Sequence, residues 1–195
     1  MVTGDIFNAE FIASQMKDHD VVVSVLGFPK DTDRPTKWFT KSMEVILAAM
    51  KISKVKRLVT ISAWYTDPHN RSGQYMFDEQ WSKVPGLINT LNNEGEMELL
   101  LATTDANEID YVAVRVPTLT WDASTGKEFT MAIGGNWVEG GSGFMPREDV
   151  ARFMLSTLDD PSKWNRKAVA IAIHYTNEEM RAAAQRFKDH MAKYL

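Results

Sequence analysis

Apolar positions along this chain fall into short continuous runs, separated by stretches in which they recur every three or four residues. The strongest run is Val21-Val22-Val23-Ser24-Val25-Leu26-Gly27. Three consecutive valines predict a strand over 21–27 buried on both faces, as in a parallel sheet covered by helices. RLVTIS at 57–62 and DYVAVRV at 110–116 predict two more strands, the second stopped by Pro117. Between them the spacing becomes helical: Phe39, Met43, Ile46, Leu47 and Met50 over 36–52, then Leu87, Ile88, Leu91, Met97, Leu100 and Leu101 over 86–104, loosened at Gly95. A short helix over 8–18 precedes the first run, and Val2-Thr3-Gly4-Asp5 reads as the end of a strand. Strand and helix in alternation predict parallel strands joined by right-handed crossovers.

The segments 28–36 and 63–85 are irregular, punctuated by Pro29, Asp31, Asp33 and Pro35 and by Pro68, Asn70, Gly73 and Pro85. After Pro117 the pattern changes. A short strand is expected at 128–133, a helix at 147–158 with Val150, Phe153, Met154 and Leu158 on one face, and a strand at 167–173. The last helix, 177–194, opens with a capping box of Thr176 and Glu179 and carries an apolar stripe from Met180 to Tyr194.

Length and composition narrow the class. The 195 residues suit a single domain, with a βαβ core over 1–120 and a C-terminal part over 121–195 that adds a helix. A net charge of −4 with no long run of one sign argues against nucleic acid or an anionic membrane as partner. The absence of cysteine excludes disulfides, thiolate metal sites and cysteine nucleophiles, and fits a cytoplasmic chain. No apolar run approaches the ~20 residues of a membrane span, and no secretory signal pattern opens the sequence.

Most chemistry-bearing residues have plain explanations. Gly134-Gly135 and Gly140-Gly141-Ser142-Gly143 match no phosphate-binding pattern in a strand–turn–helix setting and read as turns. His19, His69, His174 and His190 form no metal-ligating pair, so no metal is expected; His174 reads as a satisfied surface histidine. Glu94, Glu96 and Glu98 read as a solvated helix face. Trp64-Tyr65 either walls a pocket or packs a long loop. The strand ends carry more weight, because ligands of open parallel sheets bind outside the carboxyl ends of the strands. Here those ends are Leu26-Gly27-Phe28, Ser62-Ala63-Trp64 and Pro117-Thr118-Leu119, which line one edge if the strands are parallel neighbours.

These ends also carry a family likeness. GDIFNAE at 4–10, HDVVVSVLG at 19–27, ILAAMKISKVKRLVTISAW at 46–64, DYVAVRVPTLT at 110–120 and PREDVARFML at 146–155 resemble NmrA-like, atypical short-chain dehydrogenase/reductases, most closely the biliverdin reductase B or flavin reductase branch. The resemblance implies an α/β fold: a Rossmann-like parallel sheet covered by helices, binding NADP or NAD. It places Asp5 and Ile6 near the adenine and Leu26 and Gly27 against the cofactor. Ser62, the expected catalytic residue, and Ala63 fall near nicotinamide and substrate, and Pro117 and Thr118 close the nicotinamide side.

The chain departs from the family pattern in three places. No glycine-rich turn precedes the strand at 21–27, no basic residues select a 2′-phosphate, and Tyr75 is followed four positions on by Glu79 rather than lysine. Without the turn, the backbone donors that hold a diphosphate are missing. The sheet is therefore expected to lack its first strands and to leave 21–27 as an apolar edge, open to pairing with a second copy in a homodimer. The final helix is an alternative cover for that edge. Two functions follow: a dinucleotide-fold protein with weak or no cofactor affinity that acts by binding or self-association, or an NAD(P)H-dependent reductase of flavins, biliverdin-like or other small conjugated acceptors. The chain also reads as a fragment of a longer protein.

Overall fold

The computed structural model describes residues 1–27, 37–71, 75–79 and 81–193. Readings that fall on Phe28, the 28–36 loop, Gly73, the Tyr75 side chain or Tyr194 lie outside the described residues. In chain order the elements are α1 (Ala9–Met16), β1 (Val21–Ser24), α2 (Trp38–Ser53), β2 (Arg57–Ala63), α3 (Tyr75–Glu79), α4 (Leu87–Ala102), β3 (Asp110–Val116), β4 (Thr118–Thr120), β5 (Thr130–Ile133), β6 (Phe144–Pro146), α5 (Arg147–Ser156), α6 (Pro161–Trp164), β7 (Lys167–Ala172) and α7 (Asn177–Met191).

A five-stranded sheet runs in the order β1-β2-β3-β7-β5, parallel except for β5, and β4 and β6 form a separate two-stranded parallel pair. Alternation along each strand divides the core into two layers. Leu58, Tyr111 and Ala113 face α1, α2 and α4, meeting Met16, Met43, Ile46, Met50, Met97 and Leu101. Val59, Val112, Val114 and Val116 face the other way, onto Val150, Phe153 and Met154 of α5 and onto Trp164. Each such side chain contributes about 1.5–3 kcal/mol when fully buried. The two layers clamp β2 and β3, which is why most of their residues are apolar.

β1 is shorter and less covered than its sequence suggests. The ladder ends at Ser24, and Val23 and Val25 are 43% and 64% exposed rather than buried on both faces. The valine run reads as buried on both faces because its composition does, but β1 is an edge strand, as expected from the missing glycine-rich turn. Among the described residues it pairs only with β2. The final helix does not cover it. α7 packs instead at the far side of the molecule, where Phe187 meets Trp121 and Phe144 and Arg186 binds Asp122. Its capping box forms as expected, with Thr176 Oγ1 accepting from Glu179 N at 3.2 Å and Glu179 Oε2 accepting from Thr176 N at 2.7 Å.

Gly95 does not loosen α4, which is continuous from Leu87 to Ala102. The glycine serves close approach: a Cβ there would lie 2.7 Å from the Thr66 carbonyl oxygen. Its absence lets α4 rest against the chain leaving β2. No described helix is long and apolar enough to cross a membrane.

Candidate functional site

The register aligns the three strand ends. Ser24 pairs with Thr60, Ser62 with Arg115 and Ala63 with Val116. The β1 ladder stops at Ser24, and Gly27 follows three residues on, toward the side where β2 ends at Ala63 and β3 at Val116, one residue before Pro117. Neighbouring strands lie about 4.8 Å apart, so the three ends form an edge about 10 Å wide, comparable to a nicotinamide ring with its carboxamide. Gly27 is exposed and a Cβ there would meet nothing within 4 Å, whereas Ser62, Val116 and Pro117 are buried, so the edge is open on its β1 side. Its carbonyl accepts the Trp38 indole N–H at 3.0 Å, which ties the end of β1 to the start of α2. Trp38 in turn meets Phe7 edge-on at 5.4 Å.

That contact brings the Asp5–Ile6 segment beside the β1 end. Asp5 Oδ1 accepts the Phe7 N–H at 2.9 Å in a local turn, while Ile6 packs toward the α2 layer. A shallow cleft of about 480 Å3 is lined by Ile6, Gly4, Phe11 and Gln15, but not by Asp5. Leu26 is half-buried against the same layer. Pro117 is buried, and Thr118 donates its N–H to the Gly143 carbonyl at 3.0 Å as β4 begins. The following loop is pinned to α5. Asp149 accepts from Ser124 Oγ at 2.6 Å and from Thr125 N and Oγ1 at 3.0 and 2.8 Å. Burial raises the Asp149 carboxyl, but these bonds and one from Arg152 outweigh it and hold the group below its ordinary range.

Ser62 is not free at the edge. It is 2% exposed, points toward α4 and donates Oγ to Glu98 Oε1 at 2.6 Å. Glu98, itself 9% exposed, is gripped by Arg115 through Nε to both carboxylate oxygens, at 3.0 and 3.1 Å, and through Nη2 to Oε2. Arg115 Nη1 closes the unit on the carbonyls of Gly134 and Gly135 at 3.3 and 2.8 Å. A buried ion pair of this kind resists single truncation, because either partner alone would be left as an uncompensated charge. The glycines at 134–135 act as a turn, as their sequence suggests, with Gly135 N donating to Ala132 O.

Of the carboxylate triplet on α4, Glu96 is solvated as expected, but Glu94 and Glu98 are not. Helix geometry puts Glu94 and Glu98 on one stripe with Leu91 and Leu101, and Glu96 on another. Part of Glu94 is accessible, but its Oε2 is enclosed and accepts no hydrogen bond. Burial first, and then the nearby Glu98 charge, push its carboxyl up to about 8. Asn93, beside it, caps α2: Asn93 Oδ1 accepts from Phe39 N at 2.8 Å, and Asn93 Nδ2 donates to Thr40 Oγ1 at 2.6 Å. Sequence reasoning missed both roles. The i, i+4 spacing of Glu94 and Glu98 on the stripe of Leu91 and Leu101 was the available signal; the cap joins two helices and leaves no local one.

Trp64 and Tyr65 take the packing role rather than that of a wall. Both are buried; Trp64 donates its indole N–H to Ile171 O at 3.2 Å, and Tyr65 meets Trp81 edge-on at 5.2 Å. Burial and Asp78 push the Tyr65 hydroxyl up to about 12. His174 is satisfied at the surface, its Nε2 lying 2.8 Å from Thr130 Oγ1. A cleft of about 780 Å3 opens over Ala113 and Ala168 and reaches the Glu98–Arg115 pair, bounded also by Tyr111, Leu99 and His69.

No curated protein matches the chain in sequence. Solved structures do match in fold. A short-chain dehydrogenase/reductase from Veillonella parvula in complex with NADP aligns at a TM-score of 0.68 and 15% identity, over 89% of this chain and 73% of that one. An oxidoreductase from Lactococcus lactis aligns at 0.65 and 18% identity, over 94% and 77%. A protein from Streptococcus pneumoniae, named as a candidate NADH-flavin reductase, aligns at 0.63 and 15% identity, over 89% and 80%. The sheet with its aligned strand ends is thus a Rossmann-like one. Residues 1–161 match the model of the NAD(P)H-binding family, so the chain belongs to that family, as its likeness to atypical short-chain dehydrogenase/reductases implied.

Proposed function

We propose that the chain binds the nicotinamide end of NADPH or NADH across Leu26–Gly27, Ser62–Ala63 and Pro117–Thr118, and reduces small conjugated acceptors such as flavins. The carrying observation is the parallel register of β1, β2 and β3, which brings their carboxyl ends to one side of the sheet, with Gly27 exposed there. Family membership supports the cofactor class. The neighbour from Streptococcus pneumoniae, named for NADH-flavin reduction, supports the acceptor class. In this reading Ser62 does not touch substrate. It positions Glu98 and is a positioning residue. Asp5 and Ile6 would lie toward the adenine.

The residues present fit the nicotinamide end but supply no turn for the diphosphate, since no glycine-rich strand–turn–helix lies within the 195 residues. Affinity then rests on one half of the cofactor. Calorimetry with NADPH and with reduced nicotinamide mononucleotide tests this. The two should bind with dissociation constants within about tenfold of each other, a difference below about 1.4 kcal/mol. Absence of heat with both ligands at millimolar concentration would sink the reading.

A second reading has its own observation. β1 leaves its outer edge unpaired among the described residues and exposes Val23 and Val25, the pattern that invites strand pairing. We propose a homodimer joined through the 21–27 edge. Light scattering across a dilution series should show dimer dissociating to monomer, and a monomer at every concentration rejects it.

A further inference from the structure

α4 carries the chain from the carboxyl end of β2 back to the start of β3, so it runs against the strands. Ser62 and Arg115, paired across β2 and β3, both reach Glu98. Glu94 lies one helical turn nearer the start of α4, about 5.4 Å further toward the carboxyl ends. Two bonds fix that level independently. Asn93, the adjacent residue, holds the first turn of α2 through Phe39 N, and Trp38 of that same turn holds the Gly27 carbonyl. Glu94 thus stands beyond the Ser62–Arg115 level, toward the end of β2 at Ala63, on the stripe of α4 that it shares with Glu98, with an enclosed oxygen that has no hydrogen-bond partner among the described residues.

We propose that Glu94 is held as a neutral carboxylic acid at the strand-end edge and donates its proton to the acceptor that binds there. The proposal rests on the reductase reading. The acceptor gains a hydride from reduced nicotinamide, which is oxidised. Its electron-rich heteroatom takes the proton of Glu94, and the carboxylate left behind recovers a proton from water. The charges around Glu94 favour the neutral acid at rest. Glu98 is negative, and its counter-ion Arg115 is already saturated by Glu98 and two carbonyls. Among the elements packed on α4, Lys41 and Glu44 of α2 are exposed, Lys51 pairs with Glu108, Arg57 of β2 pairs with Asp110, and Lys83 pairs with Glu79. Arg71, on the segment after β2 that packs against Gly95, is buried but donates to the Tyr65 and Thr66 carbonyls, so among the described residues no cation pairs with Glu94.

The test is carbon-13 NMR of protein labelled at glutamate carboxyls, titrated from about pH 5 to about pH 9, alone and with NADPH or FMN. One resonance, missing in Glu94→Gln, should titrate near pH 8 and move when either ligand is added. NADPH-to-FMN turnover should fall on the order of a hundredfold in Glu94→Gln and lose its alkaline decline. Titration in the ordinary glutamate range, or a resonance unmoved by a ligand that calorimetry shows to bind, overturns the proton-donor role alone. Failure of both ligands to bind overturns the reductase reading, and the role of Glu94 falls with it.

Discussion

The two flanks of the sheet differ sharply in completeness. Around β3 the apolar side chains are buried, and its two charged groups are paired, Asp110 with Arg57 and Arg115 with Glu98 and the 134–135 turn. At β1 the ladder stops after four residues, with Val23 and Val25 exposed and one edge unpaired among the described residues. The β3 flank holds the fold. The β1 flank leaves backbone and apolar side chains uncovered, and the proposed nicotinamide and dimer surfaces both lie there. Stability and function should therefore respond to different residues.

The largest effect is expected on the complete flank. Arg115→Met leaves Glu98 as a buried charge with hydroxyl partners only, and should cost about 3–5 kcal/mol of folding stability, read from urea denaturation. A cost under 1 kcal/mol, the range of an exposed pair, would show that the network is not a buried unit.

Glu94→Gln should act in the opposite direction. The folded carboxyl is raised to about 8 from an ordinary 4.5, so between those values the native state binds more protons than the unfolded state. Native stability then falls as pH rises through that window, and the glutamine variant escapes the loss. At pH 7 the gain should be on the order of 3 kcal/mol, shrinking toward pH 5. Denaturation curves at several pH values decide it; a pH-independent difference would contradict the burial of this group.

Asn93→Ala removes the side-chain cap of α2 and should cost about 1 kcal/mol, with α2 amides near Phe39 exchanging faster. The smallest effect on stability belongs to the open flank. Val25→Lys should change folding by no more than about 0.5 kcal/mol, yet abolish any concentration-dependent dimer in light scattering.

How far the sequence foretold this depends on where each signal resides. β3 matches its apolar run residue for residue, and β2 extends one residue past its own, because both are covered on two faces and their composition records it. The capping box at Thr176 is local and equally legible. The valines of β1 mislead because an edge strand can carry an interior composition; exposure is a property of neighbours. Glu94 and Glu98 mislead because acidic residues on a helix ordinarily face water. Only the approach of α4 allowed by Gly95, and the arrival of Arg115 from a distant strand, turn that face inward. β4, β6 and α6 are too short to leave a periodic trace. The three strands whose ends the sequence singles out are parallel neighbours, but Ser62, expected near the substrate, commits its hydroxyl to Glu98.

The claim that the strand ends form the nicotinamide site is tested most directly by mapping NADP+ onto the backbone amide spectrum of the nitrogen-15-labelled protein. The account requires ligand-dependent shifts at Leu26, Gly27, Ala63 and Thr118. Shifts confined to the cleft at Tyr111 and Leu99, or no shifts at saturating cofactor, would contradict it.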